Sequence, residues 1–255
     1  MLKKSVALGS ACVIFQTLFW LFFKDAIAYG NLEASPIWIA LAFLALFMVC
    51  LSLLLLLTEH VKLVVISFLL GLAPVFYLFG YSVLMVACVV LVTLGILRAY
   101  LRVRREAESR INYYVRVLLG EGLPTILTVL SLLLAAAYYT ETAQAPRRVT
   151  SQELLPRSVF ERILPYVPAV RGEAPDVEEV LYDIITKRSE EFIAPYEQFV
   201  PLGLAIAFFL FLRSIAFPFS WAVIWICVGI VKLLIIKGAV ARVEEQTTKE
   251  RLQWT

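Results

Sequence analysis

The chain has 255 residues, of which 61% are hydrophobic and 17% charged, and its mean hydropathy is +0.85. Soluble domains carry roughly 25% charged residues, so this composition excludes an ordinary water-soluble protein. Its net charge is only +3. Because apolar runs of this length are stable in lipid as helices, the sequence predicts an all-α fold: a polytopic helical membrane protein with about seven transmembrane helices and a small helical extracytoplasmic insert.

The first apolar run covers residues 5–23 and follows Lys3 and Lys4. A basic start, an apolar middle and small residues beyond it, here Ala26 and Ala28, are also typical of a cleavable signal peptide. The apolar part of a signal peptide is roughly 7 to 15 residues long, and this run is longer. We therefore favour a retained first span, with cleavage as the alternative.

Three further spans are predicted at residues 36–57, 63–80 and 81–97. The apolar stretch 63–97 is too long for one crossing and fits two, with a turn at Gly80-Tyr81-Ser82. Pro74 should kink the first of these two helices, because proline removes a backbone donor and crowds the preceding turn.

The fifth predicted span covers residues 117–139, which completes a five-span N-terminal region, 1–139. It is entered through Gly120, Glu121, Gly122 and Pro124, so its first turns are expected to be irregular. Residues 199–236 are predicted to form a transmembrane hairpin divided at Pro218, and 237–255 a polar tail.

The segment 98–116 between the fourth and fifth spans carries six arginines and two glutamates. Short loops with such an excess stay cytoplasmic, which predicts the orientation of every span in the plasma (inner) membrane. The arginines predicted to anchor this topology on lipid headgroups are Arg102, Arg104, Arg105 and Arg110. Docking of an acidic cytoplasmic partner or of phosphorylated lipid is the other interpretation. With seven spans the tail lies outside despite its lysines and arginines.

Residues 140–198 form the predicted extracytoplasmic insert, with eleven acidic and seven basic residues. One helix in it has an apolar stripe at i, i+3, i+4, i+7 and i+8, made by Val177, Val180, Leu181, Ile184 and Ile185. A segment of this size buries too little surface for a core of its own. Its apolar face should therefore pack on the protein's own bundle, on headgroups, or on another protein.

Few residues suggest chemistry. Cys12, Cys50, Cys88 and Cys227 lie in four different apolar runs, so we expect small buried side chains rather than disulfides or a metal site. His60 is the single histidine, and beside Glu59 we interpret it as a solvated loop residue. No catalytic, metal-binding or nucleotide-binding motif is found, so we expect no enzyme activity, no cofactor and no nucleic-acid partner.

Two functions remain as hypotheses. The first is a noncatalytic membrane component, a scaffold or accessory subunit, whose insert packs on a membrane or extracytoplasmic partner, on a second copy of the chain, or on its own bundle. The second is a small transporter or channel, with a site where glycine and proline interrupt helices at Gly120, Glu121, Gly122 and Pro74. Interrupted helices and charged residues within spans are typical of transport sites.

Overall fold

A computed structural model describes residues 2–29, 35–109, 114–144, 182, 184–185, 188, 199–238, 240–245 and 249–254. The long helices and strands in these ranges are α1 (Leu2–Tyr29), α2 (Ser35–Leu57), α3 (Val61–Phe79), α4 (Val83–Ser109), α5 (Val115–Gln144), α6 (Val200–Ile236), β1 (Val240–Glu245) and β2 (Lys249–Trp254).

Among the residues that the structure describes, six helices are long and apolar enough to cross a membrane. A hydrocarbon core of roughly 30 Å needs about 20 helical residues, and the shortest of the six, α3, has 19. The chain is therefore a multi-pass helical membrane protein.

The C-terminal helix α6 differs from the hairpin predicted for residues 199–236. It is one helix of 37 residues with Pro218 inside it. A turn at Pro218 would leave several backbone groups unpaired beside Phe217 and Phe219, whereas a continuous helix loses only the bond that Pro218 cannot donate. The described ranges therefore contain six candidate spans in place of the predicted seven.

The chain divides into two compact units, residues 1–141 with 206–255 and residues 142–205. The second unit is described only at 142–144, 182, 184–185, 188 and 199–205. Most of the predicted insert, including its first helix, lies outside the described residues.

In the first unit, α1 packs on α2 and α3. Aromatic rings fill these contacts: Phe22 stacks on Phe43 of α2 at 5.5 Å between centroids, and Trp20 meets Phe79 of α3 edge-on at 6.1 Å. Near the same end of α3, Lys24 Nζ donates a hydrogen bond of 2.6 Å to the carbonyl of Leu78. This bond satisfies a carbonyl that the end of a helix leaves open.

Three residues, 80–82, separate α3 from α4, at the position where the sequence predicts a turn. Gly80 has φ of +77°, a left-handed conformation that glycine adopts without strain. Ser82 caps the next helix, since its Oγ accepts a hydrogen bond of 3.1 Å from the backbone N–H of Met85.

Helix α6 contacts α2 and α5 through a few side chains. Cys227 Sγ lies 3.9 Å from the carbonyl oxygen of Val49 in α2, and Tyr138 of α5 lies 5.0 Å from Phe208 between ring centroids. Many other side chains of α6 point outward, including Phe211, Trp225 and Leu233. This exposed apolar surface is what a helix facing lipid presents.

The predicted polar tail contains an antiparallel hairpin of β1 and β2, in which Val240 pairs with Trp254 and Glu245 with Lys249. Val240 is buried against the core of the first unit. The charge of this region predicted a polar tail but not the strand pairing.

Candidate functional site

The glycines and glutamate proposed for a transport site lie within an unbroken stretch of α5. Gly120 has open space where a side chain would be, and Glu121 is exposed. Gly122 is buried against α4, since a Cβ there would lie 2.7 Å from Cγ2 of Val103. Successive helical residues point about 100° apart, so these three residues do not converge on one site.

The expected irregularity at the start of α5 is likewise not present. Pro124 removes the donor for the carbonyl of Gly120, and its ring would crowd that turn. Because Gly120 is exposed, its carbonyl can be solvated, and α5 continues through Pro124.

Pro74, the fourth residue of the proposed transport site, is a half-buried residue inside α3. Helix α3 packs on α1 and α4, and it continues to Phe79 without a break. The structure therefore places Pro74 in a different helix from Glu121.

The predicted partner face of the insert is described only at Ile184 and Ile185, because Val177, Val180 and Leu181 lie outside the described residues. Both isoleucines are helical, and Ile184 is 52% exposed while Ile185 is half-buried. An exposed isoleucine on this helix is compatible with a surface that another molecule covers.

The four predicted anchor arginines have different positions. Arg102 and Arg105 are exposed on α4, Arg104 is half-buried, and Arg110 lies outside the described residues. The difference arises because α4 buries one face, and Arg104 follows directly after the buried Val103.

Arg104 and Tyr100 bind the end of α2. The Tyr100 hydroxyl donates a hydrogen bond of 2.6 Å to the carbonyl of Glu59, and Arg104 Nε donates to that hydroxyl at 3.2 Å. The Arg104 guanidinium also donates to the carbonyl of Thr58. Carbonyls at a helix C-terminus lack helical partners and carry partial negative charge, so this pair caps α2.

His60 and Glu59 line a cleft of about 720 Å³ between the start of α3 and the first half of α1. Its walls are mostly apolar, and the other polar side chains in them are Ser10, Lys62 and Ser67. His60 precedes α3 without capping it through its side chain. Both His60 and Glu59 are exposed, in agreement with a loop position.

The contact between α1 and α3 contains a buried polar residue, Gln16, that was not predicted from the sequence. Gln16 is 1% exposed, and its Oε1 and Nε2 have no hydrogen-bond partner among the described residues. A Cβ added to Gly71 would lie 2.2 Å from Gln16 Oε1, and one added to Gly9 would lie 2.5 Å from Ser67 Oγ. Two glycines thus let the helices approach each other at two polar side chains.

A signal for this contact was present in the sequence. Gly9 and Gln16 are seven residues apart, and Ser67 and Gly71 are four apart, so each pair occupies one helical face. Small and polar residues of this kind are common where transmembrane helices pack. Which two helices meet could not be read from either pattern alone.

The cysteines are free thiols, with Cys12, Cys88 and Cys227 buried and Cys50 half-buried. In the part of the chain that the structure describes, no three histidine, cysteine, aspartate or glutamate side chains are grouped to hold a metal ion.

Comparison with known proteins gives no match to a family model, to a curated protein or to a solved structure.

Proposed function

We propose that this protein is a noncatalytic integral component of the plasma (inner) membrane, a scaffold or accessory subunit, whose segment 140–198 packs on a partner outside the cytoplasm. The observation that carries the proposal is the interior of the first unit. One continuous cluster of apolar side chains, contributed by all six helices, fills it.

Two buried hydroxyl groups in this interior bond within their own helices. Ser52 donates to the carbonyl of Met48 at 2.6 Å, and Thr140 donates to that of Ala136 at 2.8 Å. Such local bonds leave the packing between helices apolar. A close-packed interior supports a role in holding helices and partners in place more than a role in passing a polar solute.

The second compact unit supports the assignment of the partner surface. Residues 142–205 cluster separately from the rest of the chain, and Ile184 is 52% exposed there. The sequence 140–198 is net acidic, and acidic residues contribute little to retention in the cytoplasm. A partner that covers this isoleucine would complete the burial that so short a segment cannot achieve alone.

Six spans agree with the positive-inside rule better than seven do when the segment 98–116 is cytoplasmic. If the arginine-rich segment 98–116 is cytoplasmic, six crossings return the tail to the cytoplasm as well. The tail contains Lys237, Arg242, Lys249 and Arg251. This orientation removes the conflict with the positive-inside rule that seven spans create.

Deletion of residues 174–193 tests the proposal. We expect the native complex, extracted in mild detergent, to lose mass because the partner dissociates, while the exposed Glu108→Gln should leave its mass unchanged. A narrower pair is Ile184→Asn, which should weaken the complex, against the exposed Arg213→Asn in α6, outside the segment 140–198, which should not. An unchanged complex mass after the deletion would remove the support for a partner on this segment.

A small transporter or channel is the second candidate, and the observation that favours it is Gln16. An amide buried without a partner in a transmembrane helix marks a functional position by default. It contacts Gly71, one turn before Pro74, and Pro74 leaves the carbonyl of Leu70 without its helical donor.

Flux measurements in liposomes separate the two candidates. A transporter requires that Glu121→Gln or Gln16→Met abolish flux, while the exposed Glu108→Gln serves as a matched control. A scaffold predicts that all three variants behave alike. Gln16→Met should then leave stability unchanged or raised, because it replaces an unsatisfied amide with an apolar group of similar shape.

A further inference from the structure

The rotation of α4 about its axis is fixed by contacts on one face. A Cβ on Gly95 would lie 2.7 Å from Cγ1 of Val129 in α5, and Val103 lies against Gly122 of the same helix. Tyr100 bonds the end of α2. The opposite face of α4 therefore points away from the bundle.

On that outward face, three leucines and three arginines line a shallow cavity of about 540 Å³. Two of the leucines come before the first arginine in the chain, and the third lies between the first and second arginines. We call this surface the arginine face, and it comprises Leu94, Leu97, Arg98, Leu101, Arg102 and Arg105. All three arginines are exposed, and Leu94 and Leu101 are 55% and 57% exposed. The spacings of three, four and seven residues align these side chains along one side of the helix.

The arginine face lies where α4 leaves the hydrocarbon. Arg98 is the first charged residue of this helix, which begins at Val83. About 20 helical residues cross the apolar core, so counting from Val83 the boundary falls near Val103. Arginines at this depth extend their guanidinium groups toward the headgroups while their stems remain beside apolar groups.

The charges of this face match a phosphate. Like charges three or four residues apart on a helix repel each other, and an anion between them removes that repulsion. Guanidinium groups bind phosphate oxygens in a bidentate geometry. The exposed leucines on the membrane side offer a surface for hydrocarbon, which a soluble anion would leave uncovered.

We propose that the arginine face binds an anionic phospholipid, with the phosphate held by Arg98, Arg102 and Arg105 and an acyl chain lying on Leu94 and Leu101. The structure changes one member of the anchor set predicted from the sequence. Arg104 caps α2, and Arg98 takes its place on the outward surface. This site goes beyond the scaffold function and does not depend on it.

Lipid binding by the full-length protein tests the proposal. The delipidated protein in dodecylmaltoside is titrated with dioleoylphosphatidylglycerol or dioleoylphosphatidylcholine, and bound lipid is counted by native mass spectrometry. Each basic group near a membrane surface contributes about fivefold in affinity for anionic lipid. We therefore expect the triple variant R98Q/R102Q/R105Q to bind phosphatidylglycerol roughly 100-fold more weakly.

Two variants control for net charge and for folding. R213Q/K232Q/K237Q removes three exposed positive charges elsewhere, and it should change binding less than about twofold, since those side chains are outside the site. R98K/R102K/R105K keeps the charge but not the bidentate geometry, so it should still prefer phosphatidylglycerol while binding it more weakly than the wild type. If the glutamine variant fails to fold, unchanged binding by this lysine variant would overturn the proposal.

Three results would overturn the proposal. One is equal binding of phosphatidylglycerol by the wild type and by a folded glutamine variant. A second is equal loss in the R213Q/K232Q/K237Q control, which would indicate a general charge effect. The third is full competition by glycerol phosphate, which has no acyl chain and would reveal a site for a soluble anion. The glutamine variant could also lose an acidic protein from the native complex while its lipid binding stays unchanged. That outcome is a case of the first result, and it would assign the arginine face to a protein partner.

Discussion

Gly95 and Gly120 show how the same residue type has opposite roles on neighbouring helices. Gly95 faces the branched side chain of Val129 so closely that a Cβ would come within 2.7 Å of it, whereas Gly120 has nothing within 4 Å. The first glycine lets α4 and α5 approach each other, and the second has no packing role in the first unit.

We predict that Gly95→Ala destabilises the protein by about 1 to 3 kcal/mol, the usual result of overpacking. Gly120→Ala should stabilise it by about 0.4 to 1 kcal/mol, because alanine lowers the entropy of the unfolded chain. Equilibrium unfolding in mixed dodecylmaltoside and SDS micelles measures both. Equal effects of the two variants would contradict the packing of α4 on α5.

The cap formed by Arg104 gives a second prediction at this scale. Arg104→Gln should lower the unfolding free energy by about 1.5 to 3 kcal/mol, since a charged hydrogen bond to a helix-end carbonyl is lost. Arg105→Gln, one residue further on and exposed, should change it by less than about 0.5 kcal/mol in lipid-free detergent. The same unfolding titration measures both variants. A larger loss of unfolding free energy in Arg105→Gln than in Arg104→Gln would contradict the contact between Arg104 and the end of α2.

At the scale of the elements, α6 is the helix whose form departs most from expectation. Its 37 residues extend about 55 Å at 1.5 Å per residue, which exceeds the roughly 30 Å of hydrocarbon. Phe217, Pro218 and Phe219 at its centre offer no polar group to solvate a turn. The helix therefore continues through the proline, as transmembrane helices do when most of their backbone bonds survive.

Cysteine labelling distinguishes one helix from two. In a background where the four native cysteines are alanine, Pro218→Cys should not react with a membrane-impermeant maleimide from either side, because the middle of a single crossing lies in lipid. Lys237→Cys, just beyond the helix, is the positive control, since it should react from one side. Labelling of residue 218 would support the hairpin predicted from the sequence.

At the scale of the molecule, the number of crossings decides where each polar segment lies. With six crossings, the arginine-rich end of α4 and the β1–β2 hairpin are expected on the same side of the membrane. Seven crossings would separate the hairpin from the arginines.

We therefore predict that Ser109→Cys and Lys237→Cys react with the impermeant maleimide only from the cytoplasmic side, in inverted vesicles. Ile184→Cys should react only in intact cells. The physical reason is that basic segments resist translocation while acidic ones do not. Reaction of Ser109→Cys in intact cells would invert the orientation, and reaction of Lys237→Cys there would restore the seventh span.

The sequence by itself determined the class of protein, because hydropathy and length depend only on local composition and a long apolar run has one stable form in lipid. It also located the turn at residues 80–82, where glycine and serine have local conformational preferences. It could not determine which side chains meet. The roles of Gln16 at Gly71, of Arg104 on α2 and of Arg98 in the outward face depend on how the helices are rotated against each other. That rotation is set by the packing of several helices at once, so only the tertiary structure decided it.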